Sequence, residues 1–187
     1  MANSIPFADL HPAAASQALV ALWESVLANP ALLAAAEKCD PADVAKVAQL
    51  RKKGTAPEVK LALDLVIARK KAAVKLPAEL AAGIFADPQA VEQASSWKVA
   101  SWKARRFAAV ASGAPVFDLC CGAGFDTLAF ADAGLRVEAC DLDPVRAWMA
   151  GRNAVLSKNP PVPVASEGVT EKALPAGVVA RMAAASG

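Results

Sequence analysis

Residues 116–126 read VFDLCCGAGFD, and this stretch constrains the fold more than any other part of the chain. The apolar run at its start is typical of a buried strand, and the glycines that follow mark a turn into a helix. Gly122 and Gly124 carry no Cβ and can adopt positive φ, so a ligand can approach the main-chain N–H groups at the start of that helix. The pattern predicts a strand–turn–helix unit of an open α/β sheet, where adenine nucleosides bind outside the carboxyl ends of the strands.

A second carboxylate follows at a characteristic distance. A strand is predicted over residues 135–140, and it runs into Asp141. A β-α-β unit places its ribose-binding carboxylate about 20 residues past the glycine turn, where one carboxylate can accept hydrogen bonds from two neighbouring hydroxyls. Asp143 precedes Pro144, which is typical of an N-cap opening a helix over residues 145–157. We therefore expect Asp141 to face the ligand and Asp143 to cap a helix.

The residues around the glycines indicate which nucleoside fits. A dinucleotide fold has a third glycine three residues after the second, and here that position is Thr127. This disfavours a nicotinamide-dependent dehydrogenase. An acid, Asp118, instead precedes the first glycine on the predicted strand. Short patterns also arise by coincidence, so a decayed β-α-β unit that binds nothing stays an alternative.

The composition limits the class of protein. The chain has 187 residues, of which 56% are hydrophobic and 20% charged, so disorder is not expected. The mean hydropathy of +0.34 comes largely from alanine, and no apolar run approaches the roughly 20 residues that span a bilayer. Residues 1–10 lack the basic region of a secretory signal. We expect a soluble, cytoplasmic protein that makes no membrane contact.

The sequence indicates no metal site. Cys39, Cys120, Cys121 and Cys140 follow no metal-ligand spacing, and small buried thiols in a reducing cytoplasm explain them better than redox or metal roles. The single histidine, His11, has no residue to pair with and receives no chemical role.

Residues 12–111 are predicted to be helical. Apolar residues recur at helical spacing from Leu19, and Asp40 and Thr55 are predicted N-caps, the latter in a capping box with Glu58. The helical pattern ends at the SGAP run of residues 112–115. We therefore expect a helical domain over residues 1–112 and an α/β domain over residues 113–187.

A basic and aromatic segment precedes this boundary, within a helix predicted over residues 89–111. Aromatic rings interleaved with basic side chains are typical of a surface that stacks bases and binds phosphates. The net charge is only +2, so a nucleic-acid partner depends on such local patches. Core packing is the alternative for the rings, and it is favoured for the tryptophans. The segment contains Lys98, Lys103, Arg105, Arg106, Trp97, Trp102 and Phe107.

The D-x-x-x-G-x-G pattern that begins at Asp118 resembles the first motif of class I S-adenosylmethionine-dependent methyltransferases. The EQASS run at residues 92–96, the basic helix after it and the DLDP run at residues 141–144 extend the likeness. Together they make the chain similar to bacterial methyltransferases with a THUMP-like region, which are relatives of trimethylguanosine synthases. The resemblance covers residues 51–153.

This resemblance implies an all-helical region followed by an incomplete Rossmann-like parallel sheet, S-adenosylmethionine as cofactor, and RNA as the substrate. Asp118 would hold the ammonium end of the methionine moiety, the glycines would border the nucleoside, and Lys98, Lys103, Arg105 and Arg106 would contact RNA. The catalytic residues stay unassigned. The implied cofactor-binding residues are Asp118, Cys120, Gly122, Gly124, Asp126, Asp141 and Leu142.

The chain departs from the family near its end. The family places a D-P motif at the end of the fourth strand, whereas residues 180–182 read ARM and few residues follow. We expect a shortened methyltransferase that has the cofactor-binding half and lacks the catalytic half. Loss of later strands would expose a sheet edge, which the helical region or another chain would have to cover, or stability would be poor. The alternative is a non-catalytic helical module that binds nucleic acid or protein and keeps a vestigial nucleoside pocket.

Overall fold

The computed structural model describes the backbone of residues 12–159 and the side chains of residues 16–159. Over this range the fold is mixed α/β, with nine helices and one two-stranded parallel sheet, which confirms the expected class. His11, the strands considered at residues 162–165 and 178–180, and the ARM run lie outside the described residues. The elements are α1 (Pro12–Leu27), α2 (Pro30–Glu37), α3 (Val44–Leu50), α4 (Ala56–Ala72), α5 (Ala78–Gly83), α6 (Pro88–Gln93), α7 (Trp97–Val110), β1 (Val116–Leu119), α8 (Phe125–Asp132), β2 (Val137–Cys140) and α9 (Pro144–Ala154).

The chain divides into two compact units between Val99 and Ala100. The boundary expected after residue 112 lies further along, where the sequence changes from helix to strand. The earlier division has a physical reason, because most of α7 packs with the α/β elements. The ring of Phe107 meets that of Phe130 edge-on, with centroids 5.2 Å apart. A change of secondary structure and a change of packing partner therefore occur at different residues.

Helix α4 is the centre of the first unit, in contact with α1, α2, α5 and α6. The predicted capping box at its start is confirmed: Thr55 N donates to Glu58 Oε2 at 2.7 Å, and Glu58 N donates to Thr55 Oγ1 at 3.4 Å. From α1, Trp23 and Val26 are buried, as their helical spacing predicts. The buried residues of α4 are Val59, Leu61, Ala62, Leu63, Leu65, Val66, Ala68 and Ala72.

The expected N-cap at Asp40 is wrong. Asp43 caps α3, because its Oδ1 accepts a hydrogen bond from Lys46 N, the third helical N–H group, at 3.1 Å. Asp40 lies one turn earlier, where its Oδ1 accepts from Ala42 N at 3.0 Å. Both aspartates suit a cap chemically, and only the carboxylate that reaches the first helical turn serves as one.

Arg69 in the last turn of α4 and Lys75, just after this helix, are engaged within the first unit. Lys75 Nζ donates to the carbonyl oxygens of Val91, Glu92 and Ala94 at 2.7, 2.8 and 2.8 Å, which satisfies the carboxyl end of α6. Arg69 Nε donates to Ile84 O at 3.1 Å. These contacts give both side chains a structural role.

The second unit is built on a β-α-β crossover. Strands β1 and β2 pair in parallel, with Val116 opposite Val137 and Leu119 opposite Cys140, and α8 connects them. Helices α8 and α9 contact each other and the sheet. Strand β2 begins two residues later than predicted, because Leu135 N still donates to Phe130 O at 3.1 Å in the turn that ends α8.

Helix α9 has the predicted N-cap, since Asp143 Oδ1 accepts from Val145 N at 2.9 Å. The helix begins one residue earlier than predicted and ends at Ala154 rather than at residue 157. The DLDP run of residues 141–144 is therefore the junction between β2 and α9.

Within residues 16–159, no single helix is long and apolar enough to cross a membrane. Ser16–Leu27 and Pro30–Glu37 are long and apolar enough only when taken together, by length and composition alone, and the two segments meet at a bend of 80°.

Replacing Lys75 with Met tests the structural role of the lysine. We expect the free energy of unfolding to fall by about 1–3 kcal/mol, because three carbonyl groups lose a charged donor. Urea unfolding followed by circular dichroism at 222 nm measures it. Lys70→Met is the matched control, since Lys70 is exposed on the same helix end. Equal effects of the two substitutions would contradict the assignment.

Candidate functional site

The turn between β1 and α8 has an unusual backbone. Cys120, Gly122 and Gly124 have φ of 62°, 56° and 77°, all in the left-handed region. For a residue with a Cβ this conformation costs about 1–2 kcal/mol, so Cys120 is a strained position. Cys121 N donates to Cys140 O at 3.0 Å and extends the pairing of the two strands into the turn. The turn therefore leaves the sheet at its carboxyl edge, where α/β folds bind ligands.

The two glycines have different roles. A Cβ on Gly124 would lie 2.8 Å from both Cα and Cβ of Ala150, so this glycine lets α9 approach the turn. A Cβ on Gly122 would meet no heavy atom within 4 Å among the described residues. From the sequence, we expected both glycines to border a nucleoside. The geometry gives Gly124 a packing role and leaves open space beside Gly122.

Asp141 connects the turn to the end of β2. Its Oδ2 accepts a hydrogen bond from Gly122 N at 2.8 Å, and its Oδ1 accepts from Asp143 N at 3.0 Å. A carboxylate has about four acceptor positions, so these two bonds leave acceptor capacity for ligand hydroxyls. The structure thus places Asp141 beside the glycine turn and also gives it a structural role.

Asp118 lies on β1 and is half-buried. Thr127 Oγ1 donates to Asp118 Oδ2 at 2.5 Å, and Thr127 is itself buried on α8. Burial raises the pKa of the Asp118 carboxyl, and the negative charge of Asp126 adds to the increase. The Thr127 hydroxyl and the Lys103 ammonium group oppose this increase without cancelling it. Asp118 is therefore a desolvated carboxyl that a cation would stabilise in its charged form.

In the sequence, Thr127 is notable only because it stands in place of a third glycine. The sequence contains one indication that Thr127 is buried, because it is a polar residue in the first turn of a helix whose other residues are largely apolar. Asn153 was missed in the same way. It is fully buried on α9, and its Nδ2 donates to Ala123 O in the glycine turn at 2.8 Å.

Asp126 forms an ion pair with Lys103 of α7, with Nζ 2.6 Å from Oδ2. The Lys103 side chain is 33% exposed, and the Asp126 side chain is 23% exposed. Lys103 was expected to contact RNA phosphates. The structure instead places its ammonium group on a carboxylate next to Thr127, because α7 packs alongside α8 in the second unit.

Cys121 and Cys140 are poor nucleophiles. Burial raises the pKa of Cys121 and Cys140, and the carboxylates of Asp118 and Asp141 raise both further. Both thiols therefore stay protonated at neutral pH. Cys121 and Cys140 are buried as expected, whereas Cys120 is exposed. Asp118 pairs with Ala139 in the sheet, two residues before Asp141.

Leu142 completes the set of predicted site residues. It follows Asp141 directly and is 73% exposed. Its side chain therefore gives an exposed apolar surface directly after Asp141 in the chain.

Helix α7 has a second, exposed surface. Trp102 is 52% exposed, and the guanidinium carbon of Arg106 lies 5.0 Å from the centroid of its ring. The preferred expectation of core packing is therefore wrong for Trp102, whereas Trp97 is half-buried. Arg105 and Lys98 are exposed on the same helix. These side chains are accessible to a partner, and Lys103 is engaged with Asp126.

Residues 16–159 contain no group of three or more His, Cys, Asp or Glu side chains that could hold a metal ion. Comparison of the chain with protein-family models, with curated proteins and with solved structures found no match in any of the three. The functional interpretation therefore depends on the geometry of the turn between β1 and α8.

Proposed function

We propose that this chain is a class I methyltransferase-type protein whose second unit binds S-adenosylmethionine. The observation that carries the proposal is the hydrogen bond from Gly122 N to Asp141 Oδ2 at 2.8 Å. It brings the glycine turn after β1 and the carboxylate after β2 to one place at the carboxyl edge of the sheet. Adenine nucleosides bind at such edges in open α/β sheets.

The residues of the turn fit such a cofactor. Beside Gly122 a Cβ would meet no heavy atom within 4 Å in the described part of the chain, so the backbone there is accessible. Asp141 retains acceptor capacity for the two ribose hydroxyls, and Leu142 supplies an apolar surface for the adenine ring. Asp118 is a desolvated carboxyl suited to an ammonium group. Cys120 is exposed at the strained start of the same turn.

S-adenosylmethionine supplies an electrophilic methyl group on a sulfonium when it is bound. The chain's own residues therefore have to bind, orient and exclude water rather than provide a covalent intermediate. The negative charges of Asp118 and Asp141 would favour a ligand with a positive sulfonium and a positive ammonium group. No described residue is assigned as a catalytic base.

The parallel β1–α8–β2 crossover supports a Rossmann-like sheet, because a unit of this kind is the repeating element of doubly wound folds. The resemblance extends this to a cytoplasmic RNA-modifying enzyme. The exposed Trp102 with Arg106 above its ring, together with Arg105, offers stacking and phosphate contacts for RNA.

A second candidate is a non-catalytic helical module that binds nucleic acid or protein and keeps a vestigial nucleoside pocket. The two backbone hydrogen bonds of Asp141 favour it, because a β-α-β unit that binds nothing would still need this carboxylate to hold its turn. Calorimetric titration with S-adenosylmethionine, S-adenosylhomocysteine and NAD separates the candidates. Heat with the first two ligands and none with NAD supports the methyltransferase.

Replacing Asp118 with Asn tests the ammonium contact. We expect the dissociation constant for S-adenosylhomocysteine to rise about ten- to a hundredfold, which corresponds to loss of one charged hydrogen bond of about 1.5–3 kcal/mol. Titration calorimetry at pH 7 measures it. Asp132→Asn is the matched control, because Asp132 lies at the other end of α8 and accepts from Ser157 Oγ at 3.1 Å. An unchanged affinity in Asp118→Asn would contradict the assignment.

The raised pKa of Asp118 also predicts a pH dependence of stability. In the unfolded chain the carboxyl ionises near its ordinary value of 3.8, whereas in the folded protein it ionises at a higher pH. The wild type should therefore lose stability relative to Asp118→Asn as the pH rises from below 3.8 through the folded pKa, and the difference should stay constant above it. Urea unfolding of both proteins between pH 3 and 7 measures this difference. A difference that does not vary with pH would show that burial does not perturb the carboxyl.

Replacing Trp102 with Ala tests the RNA surface. Loss of one stacked base costs about 1–3 kcal/mol, so the affinity for single-stranded RNA should fall roughly 5- to 150-fold. Fluorescence anisotropy with a labelled oligonucleotide at fixed salt measures it. Val110→Ala, which changes another exposed apolar residue of α7, should have little effect. If both variants bind RNA as the wild type does, RNA does not contact this surface.

A further inference from the structure

Helix α9 contacts the glycine turn through two residues on one face of the helix. Asn153 is fully buried, and its Nδ2 donates a hydrogen bond to Ala123 O at 2.8 Å. Ala150 lies three residues earlier, so it is on the same face. A Cβ on Gly124 would lie 2.8 Å from both Cα and Cβ of Ala150, which shows how closely this face approaches the turn. The two contacts together fix the position of the turn against α9.

The start of α9 is tied to the other half of the proposed site. Asp143 caps the helix, and its backbone N donates to Asp141 Oδ1 at 3.0 Å. Asp141 Oδ2 accepts in turn from Gly122 N at 2.8 Å. One helix of 11 residues is therefore connected to the carboxylate after β2 at its start and to the glycine turn near its end. Because a helix is a rigid element, it can hold both halves of a site in one arrangement.

Asparagine is a costly choice for a fully buried helix position. A side-chain amide has two N–H donors and two acceptor lone pairs, and its burial is unfavourable unless these groups form hydrogen bonds. Leucine has a similar branched shape and would be buried there without that cost. The bond from Asn153 to Ala123 O offsets part of the cost and gives this carbonyl group a fixed partner. A buried polar side chain of this kind specifies one geometry of the segment that it contacts.

We propose that Asn153 is a positioning residue for the nucleoside site and that, together with Ala150, it sets where the N–H groups of the glycine turn lie. The inference rests on the proposed function. Because Asn153 is fully buried, it acts through Ala123 and does not contact the ligand. Without this donor, the peptide groups on either side of Ala123 can rotate, and the backbone beside Gly122 changes position.

The first measurement is made on the protein without ligand. Asn153→Leu keeps a branched side chain and removes the donor. Amide hydrogen exchange followed by NMR reports on the turn through Gly122 and Gly124, whose N–H groups are both hydrogen-bonded. Val116, whose N–H is hydrogen-bonded at the other end of β1, is the reference. We expect the protection of the two glycine amides to fall about 5- to 150-fold relative to Val116, as when a buried carbonyl group loses its donor.

The second measurement is titration calorimetry with S-adenosylhomocysteine. We expect the dissociation constant of Asn153→Leu to be about three- to tenfold higher than that of the wild type. This factor corresponds to one neutral hydrogen bond that a displaced turn no longer forms with the ligand.

Two further variants separate positioning from general stability. Val137→Ala removes two methyl groups from a fully buried residue at the start of β2, about 10 Å along the strand from its carboxyl end. It should not lower the protection of the glycine amides more than that of Val116, and it should leave the dissociation constant unchanged. Ala150→Val places additional methyl groups against Gly124 and retains Asn153, so it should reproduce both effects of Asn153→Leu. If Asn153→Leu does not fold, Ala150→Val provides the same test.

The outcomes separate this inference from the proposed function. If Asn153→Leu lowers the protection of Val116 as much as that of the glycine amides, Asn153 is only a core contact and the inference is overturned. If the turn loses protection while Asn153→Leu binds S-adenosylhomocysteine as tightly as the wild type does, the positioning role is overturned and the proposed function stands. A wild type that does not bind S-adenosylhomocysteine overturns the proposed function and the positioning role with it.

Discussion

The hydrogen bond between Gly122 N and Asp141 Oδ2 holds together the part of the molecule on which a ligand site depends. It joins the turn that follows β1 to the residue that follows β2, so the positions of these two segments relative to each other are fixed. Asn153 supports the same turn from α9 through Ala123 O. Cys120 has a Cβ and positive φ, which disfavours this turn by about 1–2 kcal/mol, and the side chains of Asp141 and Asn153 supply contacts that hold the turn.

The same region carries chemistry that reduces stability. Asp118 is desolvated on β1, and Asp126 places a second negative charge near it. Thr127 and Lys103 offset part of this cost from α8 and α7. A buried carboxylate without full compensation reduces the stability of the folded protein. A bound cation would complete its neutralisation and so would interact with it favourably. This is why we assign the ligand's ammonium to Asp118 rather than to Asp141, whose oxygens accept backbone N–H groups.

The sequence predicted the parts of the site that depend on local order along the chain. Asp118, Gly122 and Asp141 follow from one crossover, because adjacent parallel strands bring their carboxyl ends together. It did not predict Thr127, Asn153 or Lys103, whose roles arise when helices pack on the turn from elsewhere in the chain. It also placed the domain boundary at the change from helix to strand, whereas the packing changes within α7. Helix caps show the same limit, because Thr55 has a capping-box partner three residues on, whereas the cap predicted at Asp40 has none and Asp43 was not predicted.

Helix α7 links the two parts of the proposed activity. Trp102 and Lys103 are consecutive, so their side chains leave the helix about 100° apart, one exposed and one directed to Asp126. The ion pair of Lys103 with Asp126 fixes one side of this turn of helix, and Arg106 lies over the ring of Trp102 on another side. A turn that these contacts already order would lose less conformational entropy if the proposed RNA surface at Trp102 were occupied.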